Sequence, residues 1–151
     1  EAGVPVLWRP LQEASNGWFW WGASGSEAYQ WLWHLMYTRM VDYHQLHNLI
    51  WIWNGQSAEY LVPDKEYDIA AADIYVDADG NISGQYTYTK HGYSMDIDGT
   101  YSSDGHIFIQ EREPRQGLVT GVFEGDREGD VVRGTFTRTK DGKQMQFILN
   151  E

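Results

Sequence analysis

Two patterns of hydrophobic residues divide the chain near residue 76. Before this point, short continuous apolar runs flank a stretch of helical spacing; after it, apolar and polar residues alternate with a period of two. Continuous runs are typical of parallel strands covered on both faces, and alternation is typical of antiparallel strands with one face on a core. The patterns predict an α/β domain over residues 1–76 and an all-β domain over residues 77–151.

The first region contains three predicted strands and one predicted helix. The strands are Val4 to Leu11, Asn48 to Asn54 and Asp68 to Val76. Ser24 with Glu27 three residues later predicts a capping box, and apolar residues at helical spacing continue to about Tyr43. The order of strand, helix, strand, loop and strand predicts successive βα units, which form part of a parallel sheet.

The second region consists of short predicted strands joined by tight turns. The strand candidates are Ile82 to Tyr88, Tyr93 to Asp98, His106 to Gln110, Leu118 to Phe123, Val131 to Thr139 and Gln144 to Leu149. Pairs such as Asp79-Gly80 and Asp104-Gly105 between them are typical of hairpin turns. Their spacing predicts an antiparallel meander, closed or nearly closed as a small barrel. Glu111 and Glu113 follow a solvent-type alternation within it.

Composition narrows the class of partner. The formal net charge is -11, which argues against nucleic acid and anionic membranes, because both favour clustered Lys and Arg. No apolar run approaches the ~18 residues of a membrane span. The chain has no cysteine, and its five histidines lack zinc spacing, so we expect neither a metal site nor a cofactor. A neutral polymer or a small molecule is the easier partner.

An acidic residue surrounded by tryptophans is the main candidate for chemistry. All eight tryptophans precede residue 54, and four of them lie near Glu13, at the carboxyl end of the first predicted strand. Asn54, Asp73 and Tyr75 occupy the corresponding ends of the other strands, so these side chains should converge. Indole rings stack on sugars, and a Glu against apolar surface can retain the proton that a glycosidic oxygen needs. The alternative is a solvated carboxylate beside core tryptophans.

The order and spacing of several motifs resemble glycoside hydrolase family 26, the family of endo-β-1,4-mannanases. The motifs are Pro5-Val-Leu-Trp-Arg-Pro-Leu-Gln-Glu13, Trp18-Phe-Trp-Trp-Gly22, Leu32-Trp-His-Leu-Met-Tyr37, Asn48-Leu-Ile-Trp-Ile-Trp-Asn54 and Asp73-Ile-Tyr75. The resemblance covers about residues 3–76. It implies strands four to six of a (β/α)8 barrel, followed by the β meander, and retaining hydrolysis of a β-mannan-like polysaccharide.

The resemblance assigns roles to particular residues. Glu13 matches the general acid/base, and Trp18 matches the aromatic residue that contacts the sugar. Tyr75 matches the tyrosine that orients the nucleophilic carboxylate, with Asp73 beside it. Gln12 stands where the family usually has His; Gln can hydrogen-bond a substrate hydroxyl but cannot carry charge. The remaining tryptophans of this region are expected to pack: Trp20, Trp21, Trp31, Trp33, Trp51 and Trp53.

The second carboxylate of a retaining mechanism is missing from this pattern. The family supplies it from strand seven, whereas this chain enters the meander after Val76. We therefore expect an incomplete barrel without hydrolytic activity of its own. Its open side should pack on the β module or on another copy. The resemblance implies a secreted or cell-envelope protein of bacterial type. The rival interpretation is a non-catalytic carbohydrate-binding or envelope-associated β protein that carries a relic barrel segment.

Overall fold

The computed structural model describes residues 3–150 and divides into two compact units. Residues 3–73 and 86–93 form the first, which we call the parallel unit. Residues 74–85 and 94–150 form the second, the antiparallel unit. The boundary therefore lies after Asp73, and a short segment of the later sequence belongs to the first unit.

A three-stranded parallel sheet and one helix build the parallel unit. The strands are β1 (Val6–Trp8), β2 (Leu49–Trp53) and β3 (Ile69–Ala70), in the order β1-β2-β3. Leu7 pairs with Ile50, and Ile52 pairs with Ile69. Helix α1 (Ser26–Thr38) connects β1 to β2 and continues as a π-helical turn over Arg39–Tyr43. The predicted order of strand, helix and strands is present.

The start of helix α1 differs from the capping-box prediction. The N-cap is Gly25 rather than Ser24, and no side chain caps the helix. Gly25 has a φ of 91°, which is accessible to glycine because it lacks a Cβ atom. The backbone conformation thus begins the helix where a hydroxyl was expected to do so.

The core of the parallel unit is largely aromatic. Tyr29 and Trp33 of α1 pack against Trp51 and Trp53 of β2, and all four are buried. The rings of Trp33 and Trp51 meet edge to face at 5.8 Å. Large aromatic side chains fill the space between one helix and one sheet with few residues, which explains their density in this short segment.

The outer strands of the parallel sheet are not covered. Val6 and Leu7 of β1 are 42% and 67% exposed, and both residues of β3 are exposed. The prediction that these strands are buried on both faces is therefore wrong. A single helix can cover only part of a three-stranded sheet, so strands at its edges keep apolar side chains in solvent.

The third predicted strand is divided between two sheets. Ile69–Ala70 pairs with β2, whereas Ile74–Val76 forms β4 and pairs antiparallel with a later strand. Between them, the N–H of Asp73 donates to the side chain of Gln56 at 3.4 Å instead of joining a strand. This side-chain contact marks where the chain leaves the parallel sheet.

A seven-stranded antiparallel sheet runs from β4 to the C-terminal part of the chain. The later strands are β5 (Asn81–Tyr88), β6 (Tyr93–Tyr101), β7 (His106–Arg112), β8 (Val119–Glu128), β9 (Val131–Arg138) and β10 (Gln144–Asn150). Each pairs with its neighbour in sequence, as predicted for a meander. Over residues 3–150 the order is linear, with β10 at one edge and β4 at the other.

Alternation along β7 shows how this sheet makes its core. Ile107, Ile109 and Glu111 are buried, and the residues between them are partly exposed. Glu111 is only 3% exposed, so its assignment to a solvent-facing alternation is wrong. Its carboxylate accepts a hydrogen bond from the hydroxyl of Thr120, which compensates part of its lost hydration. No helix within the described residues is long and apolar enough to span a membrane.

Candidate active site

Glu13 lies in a turn just beyond β1, anchored to the end of β2. Its backbone N–H donates to the carbonyl oxygen of Asn54 at 2.7 Å and to the side-chain Oδ1 of the same residue at 3.2 Å. Asn54 is fully buried. The ends of two adjacent parallel strands thereby place Glu13, in the position that carries catalytic residues in α/β barrels.

Three groups surround the carboxyl of Glu13. The indole Nε1 of Trp18 donates to Glu13 Oε2 at 3.3 Å. The carboxyl of Asp73 is close enough to hydrogen-bond with that of Glu13. On its other side, Asp73 forms a hydrogen-bonded ion pair with the guanidinium of Arg9. The site therefore joins two carboxyl groups, one cation and one indole donor.

This environment favours the protonated form of Glu13. Burial is the largest cause that raises the pKa of Glu13, and the hydrogen bond and negative charge of Asp73 raise it further. The hydrogen bond from Trp18 and the charge of Arg9 oppose these effects. The net direction is upward from the ordinary value of 4.5, as a general acid near neutral pH requires.

Backbone strain is concentrated around this cluster. Leu11, Glu13 and Gln56 have φ values of 51°, 54° and 67°, a region that non-glycine residues rarely adopt. Such conformations persist only where surrounding contacts hold them, and they occur often in active sites. Here the contacts to Asn54 and Asp73 hold Glu13 and Gln56 in these conformations.

A close approach behind the site requires glycine at position 22. A Cβ atom at Gly22 would lie 1.9 Å from the carbonyl oxygen of Ala14, the residue after Glu13. Ala14 is fully buried. The tryptophan-rich loop can therefore pack directly on the Glu13 turn only because Gly22 has no side chain.

The eight tryptophans have two different roles. Trp33, Trp51 and Trp53 are buried, as predicted, whereas Trp20 and Trp31 are 72% and 66% exposed, so the prediction that both pack is wrong. Trp21 stacks on Phe19 at 4.3 Å and donates to the carbonyl oxygen of Gln12 at 2.9 Å. These contacts turn Trp21 inward, whereas the adjacent Trp20 stays in solvent. Trp18 is also 62% exposed, so its ring is accessible to a ligand.

The structure brings together only part of the predicted site. Glu13, Trp18 and Asp73 form one cluster, and the carbonyl oxygen of Gln12 is held by Trp21. Tyr75 lies in β4 of the antiparallel unit, where it pairs with Ser83. The assignment of Tyr75 to the same strand end as Asp73 is therefore wrong, because the chain changes sheets between them.

Two residues of the cluster received no role from the sequence. Arg9 is part of the strand motif, and its spacing of four residues from Glu13 gave no sign that it would pair with Asp73. Gln56 is buried, and its side-chain oxygen accepts a hydrogen bond from the backbone N–H of Asp73. Both contacts join residues distant along the chain. Within residues 3–150, no three His, Asp or Glu side chains are grouped to hold a metal ion.

A partly buried acid with an upward-shifted pKa, next to an exposed indole, is the kind of site found in carbohydrate-active enzymes. The sequence comparison agrees: the model of glycosyl hydrolase family 26 matches residues 1–96, and the chain belongs to this family.

Similar proteins include enzymes of known activity. The chain is 49% identical to a mannan endo-1,4-beta-mannosidase of Thermothelomyces thermophilus, over 57% of this chain and 18% of that protein. It is 46% identical to mannan endo-1,4-beta-mannosidase A of Piromyces sp., over 80% of this chain and 20% of that protein. The crystal structure of a Podospora anserina GH26-CBM35 β-(1,4)-mannanase shares 51% identity over 52% of this chain and 18% of that one, with a TM-score of 0.49. The matched region spans about a fifth of these relatives.

Proposed function

We propose that this chain carries the acid/base part of a retaining endo-β-1,4-mannanase, with Glu13 as the acid/base and Trp18 as the sugar contact. The observation that carries the proposal is the Glu13 carboxyl, which has a raised pKa and hydrogen-bonds to the exposed indole of Trp18. Family membership and mannanase relatives support the choice of β-mannan as the polymer. Gln12 and Asp73 complete the proposed polar wall of the sugar site.

Each role follows from the chemistry of the side chain. Protonated Glu13 donates its proton to the glycosidic oxygen as the bond to the anomeric carbon breaks. In the second step, the same carboxylate removes a proton from the attacking water. Trp18 lends an apolar face to the sugar while its N–H keeps the Glu13 carboxyl oriented.

Asp73 cannot act as the nucleophile in this geometry. A retaining mechanism places its two carboxyl groups about 5–5.5 Å apart, with the sugar between them. Asp73 instead lies beside Glu13, where its side chain and charge raise the pKa of Glu13, and it is held in an ion pair with Arg9. It therefore serves to position Glu13 and to raise its pKa. We expect the isolated chain to release no reducing sugar from mannan above background.

The parallel unit is proposed to be strands four to six of a (β/α)8 barrel. The parallel order of β1, β2 and β3 supports this assignment, and a full barrel needs about 250 residues. The exposed Val6 and Leu7 of β1 would then meet a preceding barrel strand or, in its place, a second copy. Analytical ultracentrifugation should show concentration-dependent dimers that are lost in Leu7→Lys; a strictly monomeric chain would contradict self-association through β1.

A chimera tests the catalytic assignment. Residues 3–76 would replace the matching segment of a complete family 26 mannanase, and the rate would be measured on β-mannan and on an aryl mannoside with a good leaving group. Glu13→Gln should lower the rate on mannan by roughly 10²–10⁴-fold, and the first step on the aryl substrate much less, because a good leaving group needs little protonation. Glu59→Gln, at an exposed Glu of the 3-10 helix Ala58–Tyr60 that has no part in the proposed catalytic cluster, is the control.

The same experiment distinguishes the proposed catalytic role from the main alternative, a non-catalytic carbohydrate-binding protein. An active chimera whose rate on mannan is unaffected by Glu13→Gln would refute the assignment of Glu13. A folded but inactive chimera that still binds mannan would favour the non-catalytic carbohydrate-binding interpretation. Since mannan is too large to cross a membrane, the proposed enzyme acts outside the cell or in its envelope; its bacterial type stays a prediction.

A further inference from the structure

A groove of about 540 Å³ lies on the parallel unit. Helix α1 forms one wall and the segment 61–64 forms the other. The lining residues are Glu27, Gln30, Trp31, His34, Leu61, Val62, Pro63 and Asp64. None of them belongs to the proposed catalytic cluster. The exposed indole of Trp31 is the largest flat surface in the groove.

A buried carboxylate fixes the orientation of the histidine in this groove. His34 Nδ1 lies 2.8 Å from Glu66 Oε1; the Glu66 side chain is 2% exposed, and the imidazole is 55% exposed. Glu66 Oε2 is buried without a hydrogen-bond partner among residues 3–150. Burying a carboxylate in this way costs free energy, and an apolar residue would fill the space at a lower cost. The contact holds the ring by Nδ1 and leaves Nε2 for an external partner.

A second polar side chain is also immobilised. Gln30 Nε2 donates to the carbonyl oxygens of Glu59 and Leu61, at 3.0 and 2.9 Å. These bonds tie α1 to the opposite wall and leave the amide oxygen of Gln30 as an acceptor. Trp33 Nε1 adds a third tie, to the carbonyl oxygen of Glu66 at 3.2 Å. Polar groups that are already fixed bind a ligand with little further loss of conformational entropy.

The lining residues define the class of ligand. They include the carboxylates of Glu27 and Asp64 and no Lys or Arg, which disfavours phosphates and acidic polysaccharides. Carboxylate and amide oxygens accept hydrogen bonds from hydroxyl groups, and an indole face packs on the C–H face of a sugar. This combination fits an uncharged, hydroxyl-rich chain.

We propose that this groove is a second binding site for β-mannan, separate from the site at Glu13. Trp31 supplies the stacking surface, and His34 and Gln30 supply oriented hydrogen-bonding groups. The choice of mannan rests on the proposed function, whereas the groove itself rests on contacts that the catalytic cluster does not share. The second site would hold the protein on the polysaccharide while a different stretch of the same polysaccharide occupies the site at Glu13.

Affinity electrophoresis of the 151-residue chain in native gels with soluble β-mannan tests the proposal. Trp31→Ala should weaken the apparent affinity by about tenfold, the equivalent of one aromatic stacking contact, and Trp31→Phe should weaken it less. Tyr43→Ala, which removes another exposed aromatic residue beyond the end of α1, is the matched control. Circular dichroism would verify that each variant is folded.

Further variants and conditions distinguish binding in this groove from binding at Glu13, and an uncharged ligand from a charged one. In a Trp18→Ala background, mannan should still retard the chain, and adding Trp31→Ala should remove the remaining retardation. High salt should change the affinity less than twofold, since the ligand is uncharged. Equal retardation of wild type and Trp31→Ala, or no retardation of wild type, would overturn the proposal. A strong loss of affinity at high salt would instead indicate a cationic ligand and also overturn it.

Discussion

The two units of this protein differ in how they complete their own sheets. In the antiparallel unit, each strand finds its partner in the next strand, so alternation along β7 is sufficient to make one buried face. In the parallel unit, each strand needs a crossover before its partner, and three strands with one helix leave β1 and β3 exposed. A meander can close its core over short sequence distances, whereas a segment of a parallel sheet depends on further strands.

The units also differ in where the backbone is strained. In the antiparallel unit the turns place positive φ angles at glycines, such as Gly80 and Gly129. The parallel unit also has glycines with positive φ, but among residues 3–150 the four residues with side chains in this conformation all lie in it, and two of them, Glu13 and Gln56, belong to the candidate site. Glycine turns cost little, but strained polar residues must be held by their neighbours, which is typical of functional sites. The comparison therefore supports the proposed site in the unit whose sheet is less complete.

The largest expected effect is a loss of stability confined to the parallel unit. Trp33→Ala should lower its free energy of unfolding by about 3–5 kcal/mol, because a fully buried indole leaves a cavity in the aromatic core. Tryptophan fluorescence follows this unit specifically, since all eight tryptophans precede residue 54. Amide exchange in β7 and β8 should stay unchanged. Trp31→Ala is the exposed control, and loss of protection in both units together would show that they unfold as one.

The corresponding change in the antiparallel unit is Ile109→Ala. Ile109 is buried in the middle of β7, so the substitution should cost about 2–4 kcal/mol, measured as faster amide exchange in β6 to β8. Ile148→Ala, at an exposed position of β10, should cost less than about 0.5 kcal/mol. Tryptophan fluorescence should report no shift for either variant. A large shift would show that the two units unfold together.

A smaller effect is expected at the strained site. The pKa of Glu13 is raised in the folded state by burial and by Asp73, so ionised Glu13 opposes folding at pH values above this pKa. The penalty decreases as pH falls through the raised pKa toward 4.5. Glu13→Gln should therefore stabilise the chain near neutral pH by less than about 1 kcal/mol, and the gain should vanish in acid.

Thermal melts of wild type and Glu13→Gln across this pH range measure the effect, with Glu59→Gln as the control for loss of an exposed charge. A stabilisation that is constant from acid to neutral pH would refute the electrostatic explanation. If Glu13→Gln destabilised the chain near neutral pH, the premise that ionised Glu13 is disfavoured by burial and by Asp73 would be refuted.

The smallest expected effect is on the surface of the antiparallel unit. The hydrogen bond from His106 to Asp126, at 2.9 Å, raises the pKa of His106 above 6.5. The stabilisation from this pair is present below pH 6.5 and is lost as pH rises through the raised value. NMR titration should show that Asp126→Asn lowers the pKa of His106, and that Glu124→Gln, 3.8 Å away, lowers it less. Equal pKa values in wild type and Asp126→Asn would contradict the contact.

Local patterns were sufficient to predict much of the antiparallel unit. Alternation and turn residues located its strands to within a few residues, because the partner of each strand is the next one. The prediction was wrong at Glu111, where the alternating pattern places a charged residue on the buried face. A charge in a strand normally indicates the solvent side, and the hydrogen bond from Thr120 compensates part of the cost of burying Glu111.

The sequence by itself determined the two kinds of sheet, the position of Glu13 after a strand and the family, since all three depend on spacing along the chain. The tertiary structure decided which residues meet. It paired Asp73 with Arg9 and Glu13, moved Tyr75 to another sheet, and left Trp31 in solvent beside His34. These outcomes depend on non-local pairing and on how much surface one helix can cover, and neither is encoded in the periodicity of a single segment.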